Sequence, residues 1–241
     1  MRARTVVALT AERLGLSVLV RMHRRLHAWR MSLRTNTSIF EDIYRTNAWL
    51  DPQSRSGTGS SHDATTAVRA ALSPLLTDFG IRSILDAPCG DFNWMREVDL
   101  RGIPYTGIDV VPAIIAANSR YAAPDRTFKT LDLINDTLPA ADLILCRDTL
   151  VHFPYRDIFL ALKNFKASGA CFLLTTTYPG HSNRDVPIMS YWRPLDLQAA
   201  PFCFSAPLRL VSEQCKETPY ETKSLGLWRL ADVPPHGPTL R

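Results

Sequence analysis

The chain contains 241 residues, of which 46% are hydrophobic and 21% are charged. This composition is typical of a globular protein with enough apolar side chains to bury one sizeable core, and it excludes collagen-like, repeat and largely disordered classes. The most apolar early stretch, residues 16–20, ends at Arg21 and is far shorter than the about 20 apolar residues that span a bilayer. We therefore expect a soluble or peripheral protein.

The formal net charge of +5 is concentrated at the N-terminus. Residues 1–35 carry eight arginines and one acidic residue, Glu12, whereas the remainder carries 20 basic and 22 acidic residues. Because a nearly neutral body does not attract phosphate backbones, the charge does not favour nucleic acid as a partner. The five cysteines contain no Cys-x-x-Cys pair and the six histidines show no ligand spacing, which predicts a reducing, cytoplasmic location and no metal site.

The first 35 residues are predicted to form a basic amphipathic helix. Its apolar side chains recur at spacings of three and four, which is typical of one helical face: Leu19, Met22, Leu26, Trp29 and Leu33. Three interpretations stay open, namely an interfacial helix that makes peripheral membrane contact, an Arg-rich organelle-targeting segment, or a helix packed on the domain. The sequence therefore predicts a separate helical extension over residues 1–35.

A helix and a loop are predicted over residues 36–62. Ser38 and Glu41 have capping-box spacing, so the helix is predicted to begin at Ser38. Residues 51–62 are rich in turn formers and lack the Gly-Lys-Ser/Thr ending of a phosphate-binding loop. We interpret them as a linker or a mobile lid.

From Asp63, which is predicted to cap a helix that runs to about Thr77, short apolar runs alternate with helical patterns and predict an α/β domain over residues 63–241. The predicted strands are 83–86, 105–109, 127–133, 143–147 and 170–176, with helices near 93–100, 112–121 and 154–167. Continuous apolar runs in the fourth and fifth strands indicate a doubly wound parallel sheet. Residues 208–213 and 224–230 lie too close together for a helical crossover and predict a final antiparallel pair.

Acidic residues end three of the predicted strands. Asp86 ends the first strand, Asp109 the second, and Asp132 lies at the end of the third. Ligands of doubly wound sheets bind beyond these carboxyl ends. Asp109 follows Gly90 by 19 residues, close to the spacing of an acid that binds ribose hydroxyls in nucleotide sites. The pattern predicts an adenosine-bearing ligand.

In this layout, over roughly residues 63–230, the chain resembles the class I S-adenosylmethionine-dependent methyltransferases. The resemblance implies a Rossmann-like sheet of seven strands, mostly parallel, with an antiparallel C-terminal pair. It also implies S-adenosylmethionine as cofactor. Asp86 and Gly90 would hold its methionine portion, Asp109 its ribose, and Asp132 with Leu133 its adenine.

The turn after the first strand departs from the family pattern, because Pro88 and Phe92 stand where glycines are usual and Gly90 alone remains. The incomplete glycine pattern disfavours a nicotinamide dinucleotide, whose pyrophosphate needs close backbone approach. Candidate cofactor-binding residues also include Pro88, Asp91, Trp94 and Arg147. Asp91 has the alternative role of a helix cap, and Trp94 that of a core side chain.

Catalysis is predicted to lie after the fourth strand, where Arg147, Asp148 and His152 fall within six residues. If residues 148–152 are helical, Asp148 and His152 share one face, and the carboxylate can orient the imidazole as a general base. In the alternative interpretation, Asp148 caps a turn and His152 packs in a cleft.

The sequence thus predicts methyl transfer to a small-molecule or glycan acceptor, and we expect oxygen as the accepting atom. Residues 40–61, with Tyr44 and Trp49, and residues 176–185 are candidates to cover the cleft and set specificity. Two alternatives stay open: a non-catalytic Rossmann-like binding domain recruited through its basic helix, and a nucleotide-dependent oxidoreductase.

Overall fold

The computed structural model describes residues 34–189 and 191–234. These residues contain seven strands, namely β1 Ile84–Asp86, β2 Tyr105–Asp109, β3 Arg126–Thr130, β4 Leu143–Cys146, β5 Phe172–Thr177, β6 Arg209–Ser212 and β7 Ser224–Arg229. The same part of the chain contains four α-helices, namely α1 Asn36–Thr46, α2 Thr66–Asp78, α3 Pro112–Asn118 and α4 Tyr155–Ala167. The basic helix predicted for residues 1–35 lies almost entirely outside the described residues.

All seven strands belong to one sheet in the order β3-β2-β1-β4-β5-β7-β6. Strands β1 to β5 pair in parallel, whereas β7 is antiparallel to both β5 and β6. This arrangement confirms the predicted doubly wound sheet and its antiparallel C-terminal pair. Because the chain order reverses between β1 and β4, the carboxyl ends of these strands flank a crevice suited to a ligand.

The central strands are buried on both faces. Every residue of β1 and β4 is buried, and helices contribute the apolar side chains that cover them, including Leu72 of α2 and Ile158 of α4. Two layers of helices therefore enclose the sheet, as the continuous apolar runs predicted. Within the described residues, no helix is long and apolar enough to cross a membrane.

Several local predictions were wrong. Helix α1 begins two residues before Ser38, because the Thr35 hydroxyl accepts the main-chain N–H of Ser38 and caps the helix. Helix α2 begins at Thr66 with Thr65 at its N-cap position, so Asp63 does not cap it as predicted. The helix predicted near 93–100 is only a 3₁₀ turn over Met95–Glu97, since the chain must turn sharply after β1 and Phe92 takes a φ of 57°.

Candidate active site

One large cavity lies where the carboxyl ends of β1, β2 and β4 meet the segment that follows β3. It is a cleft open to solvent, with about 1040 Å³ of empty space when the solvent at its mouth is included. Ten of the eleven predicted site residues line it: Asp86, Pro88, Gly90, Trp94, Asp109, Asp132, Leu133, Arg147, Asp148 and His152. The topology therefore brings together residues that lie up to 66 positions apart in the sequence.

Asp86 supplies a buried carboxyl at the end of β1. The Tyr105 hydroxyl donates a hydrogen bond of 2.7 Å to its Oδ2. Burial raises the pKa of Asp86 to about 7, and the hydrogen bond from Tyr105 opposes this effect only in part. The carboxyl is therefore poised to lose its proton when a cationic group arrives beside it.

Gly90 and Asp109 are joined directly. The main-chain N–H of Gly90 donates to Asp109 Oδ2 at 3.2 Å, and that of Val111 donates to Oδ1 at 2.9 Å. Burial raises the pKa of Asp109 to about 6, although these backbone donors lower it. Each carboxylate oxygen has a second lone pair, so Asp109 can still accept hydrogen bonds from a vicinal diol in the cavity.

Asp132 lies in a turn after β3, since this strand ends at Thr130 rather than at Leu133 as predicted. Its Oδ1 accepts the main-chain N–H of Ile134 at 2.8 Å, which fixes the turn. Leu133 and Ile134 both line the cavity, together with Ile108, Val111 and Ile114. These side chains form an apolar slot next to Asp109, which suits a flat ring.

The structure gives Asp91 a different role from the predicted cofactor contact. Asp91 does not line the cavity. Its carboxylate accepts the Ser54 hydroxyl at 3.0 Å and the main-chain N–H of Arg55 at 2.8 Å. Asp91 thereby attaches the loop 51–62 to the turn after β1. Trp94 does line the cavity, with the Arg147 guanidinium 5.5 Å from its ring centre.

Helix α1 and the loop 51–62 form another wall of the cavity, which we call the helix wall: Asn36, Phe40, Ile43, Tyr44, Trp49, Arg55, Ser56 and Ser60. The four residues from α1 share one face, since they stand at positions i, i+4, i+7 and i+8. The expectation that residues 40–61 cover the cleft is thus consistent with their position. The second candidate segment, residues 176–185, contributes no lining residue, and its Tyr178 is buried in the core.

The predicted helical pairing of Asp148 with His152 was wrong in its geometry. Asp148 takes a left-handed φ of 53°, and only a 3₁₀ turn over Leu150–His152 follows it. Lys223 Nζ lies 2.6 Å from Asp148 Oδ2 and forms an ion pair with it. Burial raises the pKa of Asp148, but the charges of Lys223 and Arg147 outweigh burial and lower the pKa to about 2. Asp148 is therefore a permanent anion and a poor base.

Asp148 belongs to a buried cluster of four charges. Arg147 Nη2 lies 2.6 Å from Glu213 Oε2, and Lys223 Nζ lies 3.2 Å from the same oxygen. The four formal charges cancel, which makes their burial tolerable. Arg147 Nη1 also donates to the carbonyl oxygen of Gly59 at 2.8 Å, so the cluster holds the loop 51–62 from a second side.

His152 is presented to the cavity by a rigid support. Its ring stacks on Trp49 with ring centres 5.6 Å apart and an angle of 29° between their planes. Beneath the turn, the fully buried Arg193 donates from Nη1 to the carbonyl oxygen of Leu150 at 2.9 Å and from Nη2 to that of Phe153. Burial lowers the pKa of Arg193 to about 10, so it stays cationic and keeps the turn in place.

The sequence interpretation missed Glu213, Lys223 and Arg193. Topology could have indicated the first two. Glu213 follows β6 and Lys223 precedes the antiparallel β7, so both lie at the edge where β4 ends. Nothing in the local sequence around Arg193 indicates that it binds carbonyl groups 40 and 43 residues away.

Compared by sequence, the chain matches no protein-family model and no curated protein. Compared by structure, it is similar to human N-acetylserotonin methyltransferase in complex with S-adenosylmethionine, with a TM-score of 0.56 and 14% identity over 84% of this chain. The match covers 61% of that human protein. It is also similar to magnesium protoporphyrin IX methyltransferase from Synechocystis PCC 6803 with bound S-adenosylmethionine, with a TM-score of 0.53 and 14% identity over 80% of this chain and 94% of that one.

The chain has the class I methyltransferase fold. The predicted fold class, a mostly parallel sheet of seven strands with an antiparallel C-terminal pair, is confirmed. At this sequence identity the likeness shows the fold alone, and function must be argued from the site.

Proposed function

We propose that the protein is an S-adenosylmethionine-dependent methyltransferase that acts on a small-molecule acceptor. One observation carries the proposal: a single cavity is lined by Asp86 and Gly90 after β1, by Asp109 at the end of β2, and by Asp132 and Leu133 after β3. The structural neighbours crystallised with this cofactor support it.

The donor and acceptor groups of this wall suit each part of the cofactor. Asp86 offers a carboxylate to the ammonium group of the methionine portion, and Asp109 offers lone pairs to the ribose diol. The slot that contains Ile108, Val111 and Leu133 excludes water from an adenine ring. Gly90 has a φ of 55° and would place any Cβ 2.4 Å from Ser56 Oγ, so only a glycine lets this turn pack against the loop 51–62.

When bound, S-adenosylmethionine supplies a methyl carbon on a sulfonium whose sulfur keeps the electron pair after transfer. The cavity residues would supply the chemistry of positioning, by holding an acceptor beside the bound cofactor, and such positioning accounts for much of the rate enhancement in reactions of this kind. His152 lines the same cavity and can take the proton of an acceptor hydroxyl as the oxygen bonds to carbon. Asp148, which stays ionised, stabilises positive charge on that side of the cavity.

Calorimetric titration with S-adenosylmethionine and S-adenosylhomocysteine tests the cofactor assignment. Asp109→Asn should weaken binding by about tenfold to a hundredfold, since a hydrogen bond to a charged group contributes about 1.5–3 kcal/mol. The matched control is Asp125→Asn, an exposed aspartate at the opposite end of β3. Absence of binding to the wild-type protein would refute the proposal and favour the non-catalytic alternative.

The role of His152 requires a separate test once an acceptor is known. His152→Gln should lower kcat by about a hundredfold or more for a hydroxyl acceptor, with unchanged affinity for S-adenosylhomocysteine. An unchanged kcat would show that His152 packs beside Trp49 without acting as a base.

A further inference from the structure

The helix wall combines a patch of apolar side chains with the polar Asn36, Arg55, Ser56 and Ser60, whereas the strand ends carry carboxylates. Phe40, Ile43, Tyr44 and Trp49 are half-buried and line the cavity together with the buried Met189. A sugar would need a hydrogen-bond partner for each buried hydroxyl. Aromatic and aliphatic surfaces instead favour a flat apolar ring, which gains from offset or edge-to-face contacts with aromatic side chains.

The charge of Arg55 stands out on this wall. Its guanidinium lies 5.5 Å from the ring centre of Tyr44, and Nη1 donates to the carbonyl oxygens of Tyr44 and Arg45 at 3.1 and 3.4 Å. Among the described residues, no carboxylate lies within 4.0 Å of this guanidinium. The nearby Asp91 contacts Arg55 through the main-chain N–H and not through the guanidinium.

Arg147 is the useful comparison, since it lines the same cavity but is neutralised by Glu213 and Asp148. Arg55 Nε and Nη2 donate to no group among the described residues. An arginine with free donors beside an aromatic wall is suited to bind a carboxylate with two parallel hydrogen bonds.

We propose that the methyl acceptor is an aromatic carboxylic acid whose ring packs on the helix wall and whose carboxylate binds Arg55. This inference rests on the proposed function and names its substrate class. For a hydroxy-substituted ring, the oxygen forms a bond to the methyl carbon, the bond from that carbon to sulfur breaks with its electron pair left on sulfur, and the hydroxyl proton passes to His152.

The test compares acids with their neutral amides in the presence of saturating S-adenosylhomocysteine. Suitable probes are 4-hydroxybenzoate, 4-hydroxycinnamate and indole-3-acetate, each with its primary amide, and methyl glucoside as a sugar probe. Binding is measured by calorimetry on the full chain. We expect at least one acid to bind about tenfold more tightly than its amide, as one charge-assisted contact at an exposed site provides.

Arg55→Gln should abolish this preference for the acid. Arg45→Gln is the matched control, because Arg45 is an exposed arginine nearby that does not line the cavity, and it should keep the preference. Trp49→Leu should weaken acid and amide alike, by about three- to tenfold. A general loss of structure in Arg55→Gln would lower both affinities equally, so the ratio of acid to amide separates recognition from folding.

Three results would overturn this inference and leave the proposed function standing, provided that S-adenosylhomocysteine binds. They are equal binding of acids and amides, binding of methyl glucoside alone, and no binding of any probe. Failure of S-adenosylhomocysteine itself to bind would overturn both.

Discussion

The buried charge cluster allows a quantitative test of what stabilises the β4 end of the cavity. The side chains of Arg147 and Glu213 are only 4% and 1% exposed, and two donor–acceptor pairs join them, at 2.6 Å and 3.3 Å. Lys223 adds a third contact to Glu213 at 3.2 Å. Glu213→Gln keeps the shape of the side chain but leaves two buried cations to share Asp148.

Removal of one partner from a buried ion pair costs about 3–5 kcal/mol, because the remaining charge stays desolvated without compensation. For a chain of this length, such a loss lowers Tm by about 6–20 °C. The matched control is Asp78→Asn, which breaks an ion pair between Asp78 and Arg209 of β6 whose side chains are 50% and 48% exposed. We expect that substitution to cost less than about 1 kcal/mol.

Urea unfolding followed by circular dichroism provides the free energies, and calorimetry provides Tm. The double variant Arg147→Met with Glu213→Leu removes both charges and leaves Lys223 paired with Asp148. It should recover most of the stability lost in Glu213→Gln, apart from about 1 kcal/mol for the hydrogen bond to Gly59. Two results would refute the assignment of a neutral, mutually dependent cluster. One is a Glu213→Gln variant as stable as Asp78→Asn, and the other is a double variant less stable than Glu213→Gln.

Three further predictions concern the cavity. Affinity for S-adenosylmethionine should rise by up to about twentyfold between pH 5.5 and 7.5, because Asp86 has a raised pKa of about 7 and is mostly neutral at the lower pH and mostly anionic at the higher one. Calorimetry on Asp86→Asn should show a flatter pH profile, and a profile identical to that of the wild-type protein would contradict this reasoning. Gly90→Ala should lower Tm more than Gly102→Ala. Both glycines have a positive φ, but of the two only Gly90 would place a Cβ against a neighbour, Ser56 Oγ at 2.4 Å. Adding Ser56→Ala to Gly90→Ala should restore part of the lost Tm. Asp91→Ala should accelerate tryptic cleavage after Arg55, because it removes the acceptor of three hydrogen-bond donors in the loop 51–62. The control Asp99→Ala, at an exposed turn, should leave the cleavage rate unchanged. Equal cleavage rates for the two variants would show that Asp91 does not hold the loop.

The amino-acid sequence alone predicted much of the sheet, because strands and their ends depend on local patterns. The range predicted for β2 is the one observed, and β1 and β4 differ from their predicted ranges by one residue. Asp86 and Asp109 were identified because topology places the carboxyl ends of parallel strands at one edge. Gly90 and Asp109 are even joined by a hydrogen bond, which gives the spacing of 19 residues its physical meaning.

Turns and caps were predicted less well, since several polar residues compete for the same main-chain groups. Thr35 rather than Ser38 caps α1, and Asp91 accepts hydrogen bonds from a loop 35 to 37 residues earlier. Both carboxyl and hydroxyl groups serve in caps, in turns and in tertiary contacts, so sequence spacing does not determine which partner is chosen.

The sequence by itself thus determined the fold class and the acidic strand ends, because hydrophobic periodicity and the alternation of strands and helices along the chain are carried by neighbouring residues. Only the tertiary structure decided the partners of the candidate catalytic groups. Asp148 pairs with Lys223, which is 75 residues away, and His152 stacks on Trp49, which comes from the segment between α1 and the loop 51–62. These contacts depend on how distant segments pack at one sheet edge, where the charges of Lys223 and Arg147 outweigh burial and keep Asp148 ionised.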